Sequence, residues 1–575
     1  MPEAYVPGGA GERPSDSGQQ FDRRRFLAGA SIGVSGLAAF ALGSESDAGA
    51  ARPRHSRPPA HPKRPPRAVV PPVSLVTLDS GVVVPVARWL VLENSKPGTI
   101  DWIVTGRQIP HSMEGYASQV SAVAGDEISV FVNTTAKTVA LQAFRMGYYQ
   151  GLGGRLVFQT DPVSSKAQPP PTVGAGVNTV SCQWNPTLTF NVDSSWPPGN
   201  YLLKLQGEGG EQQYVPLTIR DDSSAAAFVL QNSVTTWQAY NLWGEYSLYY
   251  GKKPGGGSDF ENRSRVVSFD RPYPQTWAQG SADFLGNEFP LLYDLERLGI
   301  DLTYWTDIDL HERPGLLAGH RALFSMGHDE YWSLPMRNGA VSALARGTNL
   351  AFLGANACYR QIRLESSPVG PNRLEVCYKD AAADPMSGVN NELVTAPNWA
   401  SAPTLWPESQ LIGSMYQSVR ANDDLVITDA SSWLFDGCGL TDGQHLPKVV
   451  QGEYDRYVPP LPGPRNVDVM GHSPVGGQNN WSDLTYYTVP GGGGVLAAGM
   501  ASFVNKLANT TAFPSNVVPA GIPGVTDILL RAMQNVYGLF ANGPASATQP
   551  SGGNWTAVYQ GPATEAGSAP ATNAA

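Results

Sequence analysis

The stretch Ala322-Leu323-Phe324-Ser325-Met326-Gly327-His328-Asp329-Glu330-Tyr331-Trp332-Ser333 decides how the rest of the chain is read. Ala322 to Met326 is an apolar run that reads as a buried strand, and Ser333 to Ala345 reads as a helix with Ser333 as its N-cap. Strand, polar turn and helix form the repeating step of an open α/β sheet, whose ligands collect beyond the carboxyl ends of the strands. A His, an Asp, a Glu and a Tyr crowded at one such end can bind a metal or move a proton. An ordinary acidic helix start, with Tyr331 and Trp332 packed beneath it, accounts for the same residues equally well.

The alternation continues on both sides of this stretch. Phe228-Val229-Leu230 starts a strand, and Asn287 caps a helix whose Phe289, Leu292, Leu295 and Leu298 share one face. Gly299 ends that helix, and Leu302-Thr303-Tyr304-Trp305 is the next strand. Asn349 to Leu353 follows a further helix, Val495 to Ala498 adds a strand, and Thr526 to Ala541 reads as a closing helix. Residues 225–543 are therefore expected as a doubly wound α/β domain of flavodoxin-like or amidotransferase-like layout.

Upstream, residues 79–222 read as strands separated by Gly, Pro, Asn and Asp turns: Ala87 to Leu92, Glu127 to Val132, Val139 to Arg145 and Tyr201 to Leu205. That spacing predicts a β-sandwich of Ig-like or lectin-like type. Within it, Arg145-Met146-Gly147-Tyr148-Tyr149 is an aromatic glycine loop that can stack on a sugar or pack against the neighbouring domain. Residues 51–78 read as a basic Pro-rich linker, and residues 544–575, rich in Gly, Pro, Ser, Thr and Ala, as a disordered tail.

The 575 residues suffice for more than one core, and a net charge of −10 argues against general nucleic-acid binding. Arg23-Arg24-Arg25-Phe26-Leu27 fits a twin-arginine signal, with an apolar stretch to Gly43 and a small-residue cleavage site at Ala48-Gly49-Ala50. Residues 1–50 are read as that signal peptide, so the expected destination is secreted or cell-surface, with the membrane met only during export. The four cysteines, Cys182, Cys358, Cys377 and Cys438, include no C-x-x-C pair. A bridge is permitted, with Cys358 and Cys377 nearest in sequence, but buried free thiols are the simpler reading.

Strand ends converge in this architecture, so separate segments can be grouped. Asn356 follows the Asn349 strand, Asp307 and Asp309 follow the Leu302 strand, and Thr236-Trp237-Gln238-Ala239-Tyr240-Asn241 follows the Phe228 strand. Helix capping explains Asp307 and Asp309 as well as chemistry does. The turn at Gly327 holds no nucleophilic Cys, and Cys358 lacks a G-x-C-x-G elbow. Beyond the signal peptide a G-x-S-x-G is also missing, and an H-E-x-x-H and a P-loop are missing from the sequence, which disfavours serine- and thiol-based acyl transfer.

Six stretches carry a resemblance: Leu92 to Ser95, Glu114 to Ser118, Phe144 to Tyr148, Thr236 to Asn241, Gly327 to Trp332, and Gly354 to Asn356. Together they make the segment from Trp89 to Asn505 similar to the family of the large (β) subunit of N,N-dimethylformamidase. The resemblance implies a β-sandwich beside an amidotransferase-like domain, and a mononuclear iron on two tyrosines and one glutamate. On this sequence it implies Glu330 as the glutamate ligand, with His328, Asn356 and Lys379 nearby as catalytic groups. Tyr240 and Tyr273 are taken as the tyrosine ligands, with Tyr249 and Tyr250 as rivals.

Phenolate and carboxylate are hard anionic donors suited to ferric iron. The function expected is iron-dependent hydrolysis of a small amide or another C–N bond. The alternative is a non-catalytic surface protein whose sandwich and basic linker bind cell-wall glycan.

Overall fold

A computed structural model describes residues 73–560 apart from 107–108, 460–461, 478–479 and 510–512. The signal peptide expected at 1–50, most of the 51–78 linker, and the last residues of the tail lie outside the described part. The chain is an α/β plus β protein. Among the described residues no helix is long and apolar enough to cross a membrane.

The β layers come first. One sheet orders Leu188–Asn191, Glu127–Thr134 and Met113–Ala117, all antiparallel. The other runs Ser121–Val123, Gln212–Arg220, Gly199–Gly207, Thr138–Met146 and Gly154–Gln159. Alternation along Thr138–Met146 turns Val139, Leu141 and Ala143 inward, where they meet Val130, Val132 and Leu203 in one core. Of the strand expected over Ala87 to Leu92, only Ala87 is in a strand, as the end of Val83–Ala87; Arg88 to Leu92 belong to a helix, Arg88–Asn94. Its buried residues are Leu90, Glu93 and Asn94, a helical i, i+3, i+4 stripe, while Val91 and Leu92 face solvent. The linker also ends sooner than expected, because Val73–Thr77 pairs with Val83–Ala87.

The second part is built on a seven-stranded sheet in the order Leu302–Thr306, Phe228–Asn232, Ala322–Ser325, Asn349–Phe352, Gly494–Ala497, Trp481–Thr488 and Asp468–Pro474. The first five strands are parallel and the last two antiparallel. Both faces are covered, so the parallel strands are apolar throughout. Phe228, Leu230, Ala322 and Phe324 face helices Phe289–Arg297 and Val525–Ala541. Val229, Leu323, Leu350 and Phe352 face helix Leu334–Ala345, whose N-cap Ser333 accepts from Met336 N–H. A π-turn, Phe284–Glu288, leads into the Phe289 helix, and Asn287 donates to Asp283 rather than capping it.

Two later features were not expected. Met415–Val426 and His445–Arg456 form a long antiparallel hairpin over the sheet. In the stretch expected as a disordered tail, Ala545–Thr548 and Trp555–Gln560 are helical, and Trp555, Val558 and Tyr559 pack on the Leu323 core.

The β layers are locked to the α/β part through Arg145, which is fully buried. Its guanidinium meets both oxygens of Glu296 at 2.8 and 2.9 Å and also donates to the hydroxyls of Tyr149 and Tyr304. Asn94 joins the cluster, donating to Glu296 and accepting from the backbone N–H groups of Tyr148 and Tyr149. The aromatic glycine loop is thus spent on packing. Arg145 and Tyr149 offer no platform for a sugar. All four cysteines are free thiols, three of them buried.

Candidate functional site

Three strand ends meet where the sequence grouped them. Pairing aligns Gln231 with Ser325 and Ser325 with Phe352, so the turns after these strands lie side by side. Gly327 has a φ of 59°, a conformation that suits glycine, and a Cβ on Gly354 would collide with the Gly327 carbonyl. Backbone contact between these turns is what lets His328 and Asn356 sit together. Beneath them, Thr236 on helix Val234–Tyr240 accepts from the backbone N–H groups of Glu330 and Tyr331, fixing the turn to that helix.

Glu330 is the centre of the cluster and is fully buried. Tyr240 donates to its Oε2 at 2.7 Å and Tyr249 to its Oε1 at 2.5 Å. Arg360 Nε approaches Oε1 at 3.2 Å. His328 Nε2 stands 3.7 Å from Glu330 Oε2 and 2.9 Å from Glu453 Oε2. Asn356 donates from Nδ2 to the same Glu453 oxygen at 2.9 Å, and its backbone N–H donates to Asp455. Lys379 Nζ lies 3.3 Å from the centre of the Tyr249 ring and has no hydrogen-bond partner among the described residues.

The electrostatics follow from burial and these neighbours. Burial alone would raise the Glu330 carboxyl, but Arg360, His328 and Lys379 outweigh it and hold the group below the usual range. Burial would likewise lower His328, yet Glu453 and Glu330 push it up to about 9. Burial, and then the Glu330 charge, raise Tyr240 and Tyr249 well above an ordinary phenol. Lys379 is driven far down by burial, with the Arg360 charge adding to it. Without a cation, the two phenols therefore keep their protons and give them to Glu330 as hydrogen bonds.

His328, Glu330, Tyr240, Asn356 and Lys379 are brought together, and Tyr273 is not. Tyr273 follows Arg271 and Pro272, and that turn sets its ring edge-on to Trp237 and Trp277, away from Glu330. Tyr249, named as a rival, takes the second place beside the carboxylate, while Tyr250 is exposed. Arg360 and Glu453 were missed. Arg360 had a signal, being a cation just after Asn356 at a strand end. Glu453 had none, because it stands on a hairpin that the sequence did not reveal. Asp307 and Asp309 serve structure: Asp307 accepts from Thr235 and Gln231, and Asp309 accepts from Thr306 and pairs with Arg220.

Among the described residues, no group of three or more His, Cys, Asp and Glu is placed to hold a metal. The Glu330 cluster is of another kind, drawing two of its three oxygen-bearing side chains from tyrosine. Two phenols and one carboxylate that already converge are a hard-donor set, and they fit an iron ion by chemistry. The fully buried hydroxyl of Tyr331 and the Oδ1 of Asn356, both without partners, leave further polar capacity around it.

Fold and cluster together define an α/β plus β protein with an oxygen-rich, charge-balanced site beyond the ends of its parallel strands. Residues 140–515 match the family described as N,N-dimethylformamidase beta subunit-like, C-terminal, and the chain belongs to that family. No curated protein matches the chain. Among solved structures, a cycloisomaltooligosaccharide glucanotransferase of a Paenibacillus species, complexed with cycloisomaltoheptaose, is similar at 10% identity with a TM-score of 0.13. That likeness covers 22% of this chain and 17% of the other, so the chain spans under a fifth of that structure's length.

Proposed function

We propose that this protein is an amide hydrolase whose reaction takes place at Glu330, with iron held by Glu330, Tyr240 and Tyr249. The observation that carries the reading is the convergence of both phenol hydroxyls on the two oxygens of one buried carboxylate. Family membership supports the amide, and the hard oxygen donors support the metal. When bound, such an ion supplies a Lewis acid for an amide carbonyl and lowers the pKa of a water.

The chain's own groups supply the rest. Glu453 holds a proton on His328 at Nε2, from which it can pass to the departing nitrogen of a cleaved amide. Asn356 fixes the Glu453 carboxylate through Nδ2, which keeps it aimed at His328. Arg360 neutralises the Glu330 charge and positions its Oε1. Lys379, over the Tyr249 ring, adds a donor that the chain itself leaves free for a substrate oxygen. Burial of Glu330, Asn356 and Lys379 keeps bulk water from competing with these bonds.

The parallel strand order, with helices on both faces, supports the amidotransferase-like reading of the α/β part. The Arg23-Arg24-Arg25-Phe26-Leu27 signature supports export by the twin-arginine route, hence a secreted or cell-surface enzyme taking a small amide. The test is elemental analysis and a visible spectrum of the protein purified with iron supplied, followed by a screen of small amides. Near-stoichiometric iron with a phenolate-to-iron band, both lost in Glu330→Ala together with turnover, is expected. Full metal and activity in Glu330→Ala would sink the reading.

A further inference from the structure

Asn356 stands in the left-handed backbone region, with a φ of 59°. Asparagine tolerates that conformation without preferring it, so the turn needs outside support. The support comes from the hairpin strand His445–Arg456. Strand Gly494–Ala497 lies beside Asn349–Phe352, and the chain just beyond it, at 499–501, pairs with that hairpin strand. Asp455 N–H donates to the Gly499 carbonyl and Ala501 N–H to the Glu453 carbonyl, both at 3.0 Å, while Tyr454 bridges Met500. The hairpin is thereby hung at the strand ends, next to the turn that carries Asn356.

Alternation sends Tyr454 into the core and leaves Glu453 and Asp455 together on the other face of the strand. Two acids two residues apart then take Asn356 from both ends. Asp455 Oδ1 accepts its backbone N–H at 2.8 Å, and Glu453 Oε2 accepts from its Nδ2 at 2.9 Å. Asp455 is buried, and the ionisable groups facing it are Glu408, Glu453 and His328. Burial pushes its pKa from 3.8 up to about 8; the Asn356 N–H and His328 oppose the rise, and Glu408 and Glu453 add to it. At neutral pH Asp455 therefore keeps its proton, which leaves Oδ1 to accept and sets no second charge beside Glu453. An asparagine at this position offers the same neutral pattern of acceptor and donor; a leucine of similar size offers neither.

We propose that Asp455 is a positioning residue of the Glu330 site: its grip on the Asn356 backbone holds the turn from which Asn356 Nδ2 steadies Glu453 against His328. Its value to catalysis rests on the amide-hydrolase reading above; the grip itself does not. Without the acceptor, the Asn356 backbone relaxes and Nδ2 swings off Glu453. The loss falls on proton delivery in the transition state and not on substrate binding, so it belongs in kcat and not in KM.

The experiment compares the full, iron-supplied protein with its Asp455→Asn and Asp455→Leu variants in two ways. One is hydrogen–deuterium exchange of residues 353–360, followed by mass spectrometry; the other is steady-state hydrolysis of formamide and N,N-dimethylformamide. Asp455→Leu should speed exchange of that segment at least about tenfold, and Asp455→Asn by no more than about threefold. With either amide, kcat in Asp455→Leu should fall at least about tenfold at a KM within about twofold, and Asp455→Asn should restore most of it. Should the leucine variant fail to fold, Asp455→Ala makes the same comparison with a smaller side chain. Exchange in Asp455→Leu no faster than in the wild type, an asparagine variant as open as the leucine one, or a rise in KM in place of a fall in kcat would overturn the proposal. The expected split in exchange, with no amide hydrolysed even by the wild type, would uphold the grip and remove the hydrolase reading. Hydrolysis with the same kcat in Asp455→Asn and Asp455→Leu would overturn the positioning role and leave the hydrolase reading standing.

Discussion

Glu408 offers a quantitative test of the structure away from the residues proposed to hold iron. It is buried, and burial pushes its pKa from 4.5 up to about 7, with its own backbone N–H, Arg337 and the Tyr416 backbone N–H only partly opposing the rise. The folded state therefore binds a proton at Glu408 over a pH range in which the unfolded chain has already lost it. Stability from this group is greatest at or below about pH 4.5 and falls as pH rises through about 7. Above about pH 8 the full cost is present, roughly 3 kcal/mol at 1.4 kcal/mol for each tenfold change. Glu408→Gln removes the titration and leaves the shape nearly unchanged. Urea midpoints for both proteins should be compared at pH 5, 6, 7 and 8. The variant should gain on the wild type with each step, by a total on the order of 2–3 kcal/mol. A gap that stays constant between pH 5 and 8 would refute the reasoning, since it would mean that Glu408 is already charged, and served, in the folded protein.

Two further outcomes are expected. Arg145→Met leaves Glu296 charged and buried, which should cost about 3–5 kcal/mol in denaturant unfolding. The double variant Arg145→Met with Glu296→Leu should recover most of that loss; a single variant within 1 kcal/mol of wild type would show that the pair is not a lock. Tyr249→Phe should abolish or strongly shift the phenolate-to-iron band, whereas Tyr273→Phe should leave it in place. The reverse pattern in the visible spectrum would return Tyr273 to the ligand set.

The sequence made the parallel core legible because its strands are buried on both faces. Ala322 to Met326 and Asn349 to Leu353 have no alternation to misread, and each is followed at once by a polar turn. Residues near those turns, His328, Glu330 and Asn356, were therefore readable as one group. Tyr249 was harder, since it lies in a loop after helix Val234–Tyr240 and nothing in its spacing separates it from Tyr250 or Tyr273. The Met415–Val426 and His445–Arg456 hairpin was illegible for a different reason. Its strands are half exposed and broken by register shifts, so neither a strict period of two nor an apolar run marks them. Glu453 was lost with it. Ala87 to Leu92 misled because six apolar or long side chains in a row fit a strand as well as a short helix; only burial of Leu90, Glu93 and Asn94 decides between them.

The strand Thr138–Met146 has a bearing on how the family itself is delimited. The matched region opens at residue 140, within this strand. Val139 and Leu141, on either side of that point, belong to a core that also contains Met113, Val130 and Val132 from earlier in the chain. A polypeptide begun there would lose the whole of the facing sheet strand Glu127–Thr134 while keeping Arg145, whose partner Glu296 sits in the α/β part. In this chain the matched stretch therefore leaves out part of the core that its first strand completes. Residues 113–139 supply half of the core on which the first matched strand packs, so they belong to the same folded unit as the motif that reveals the site.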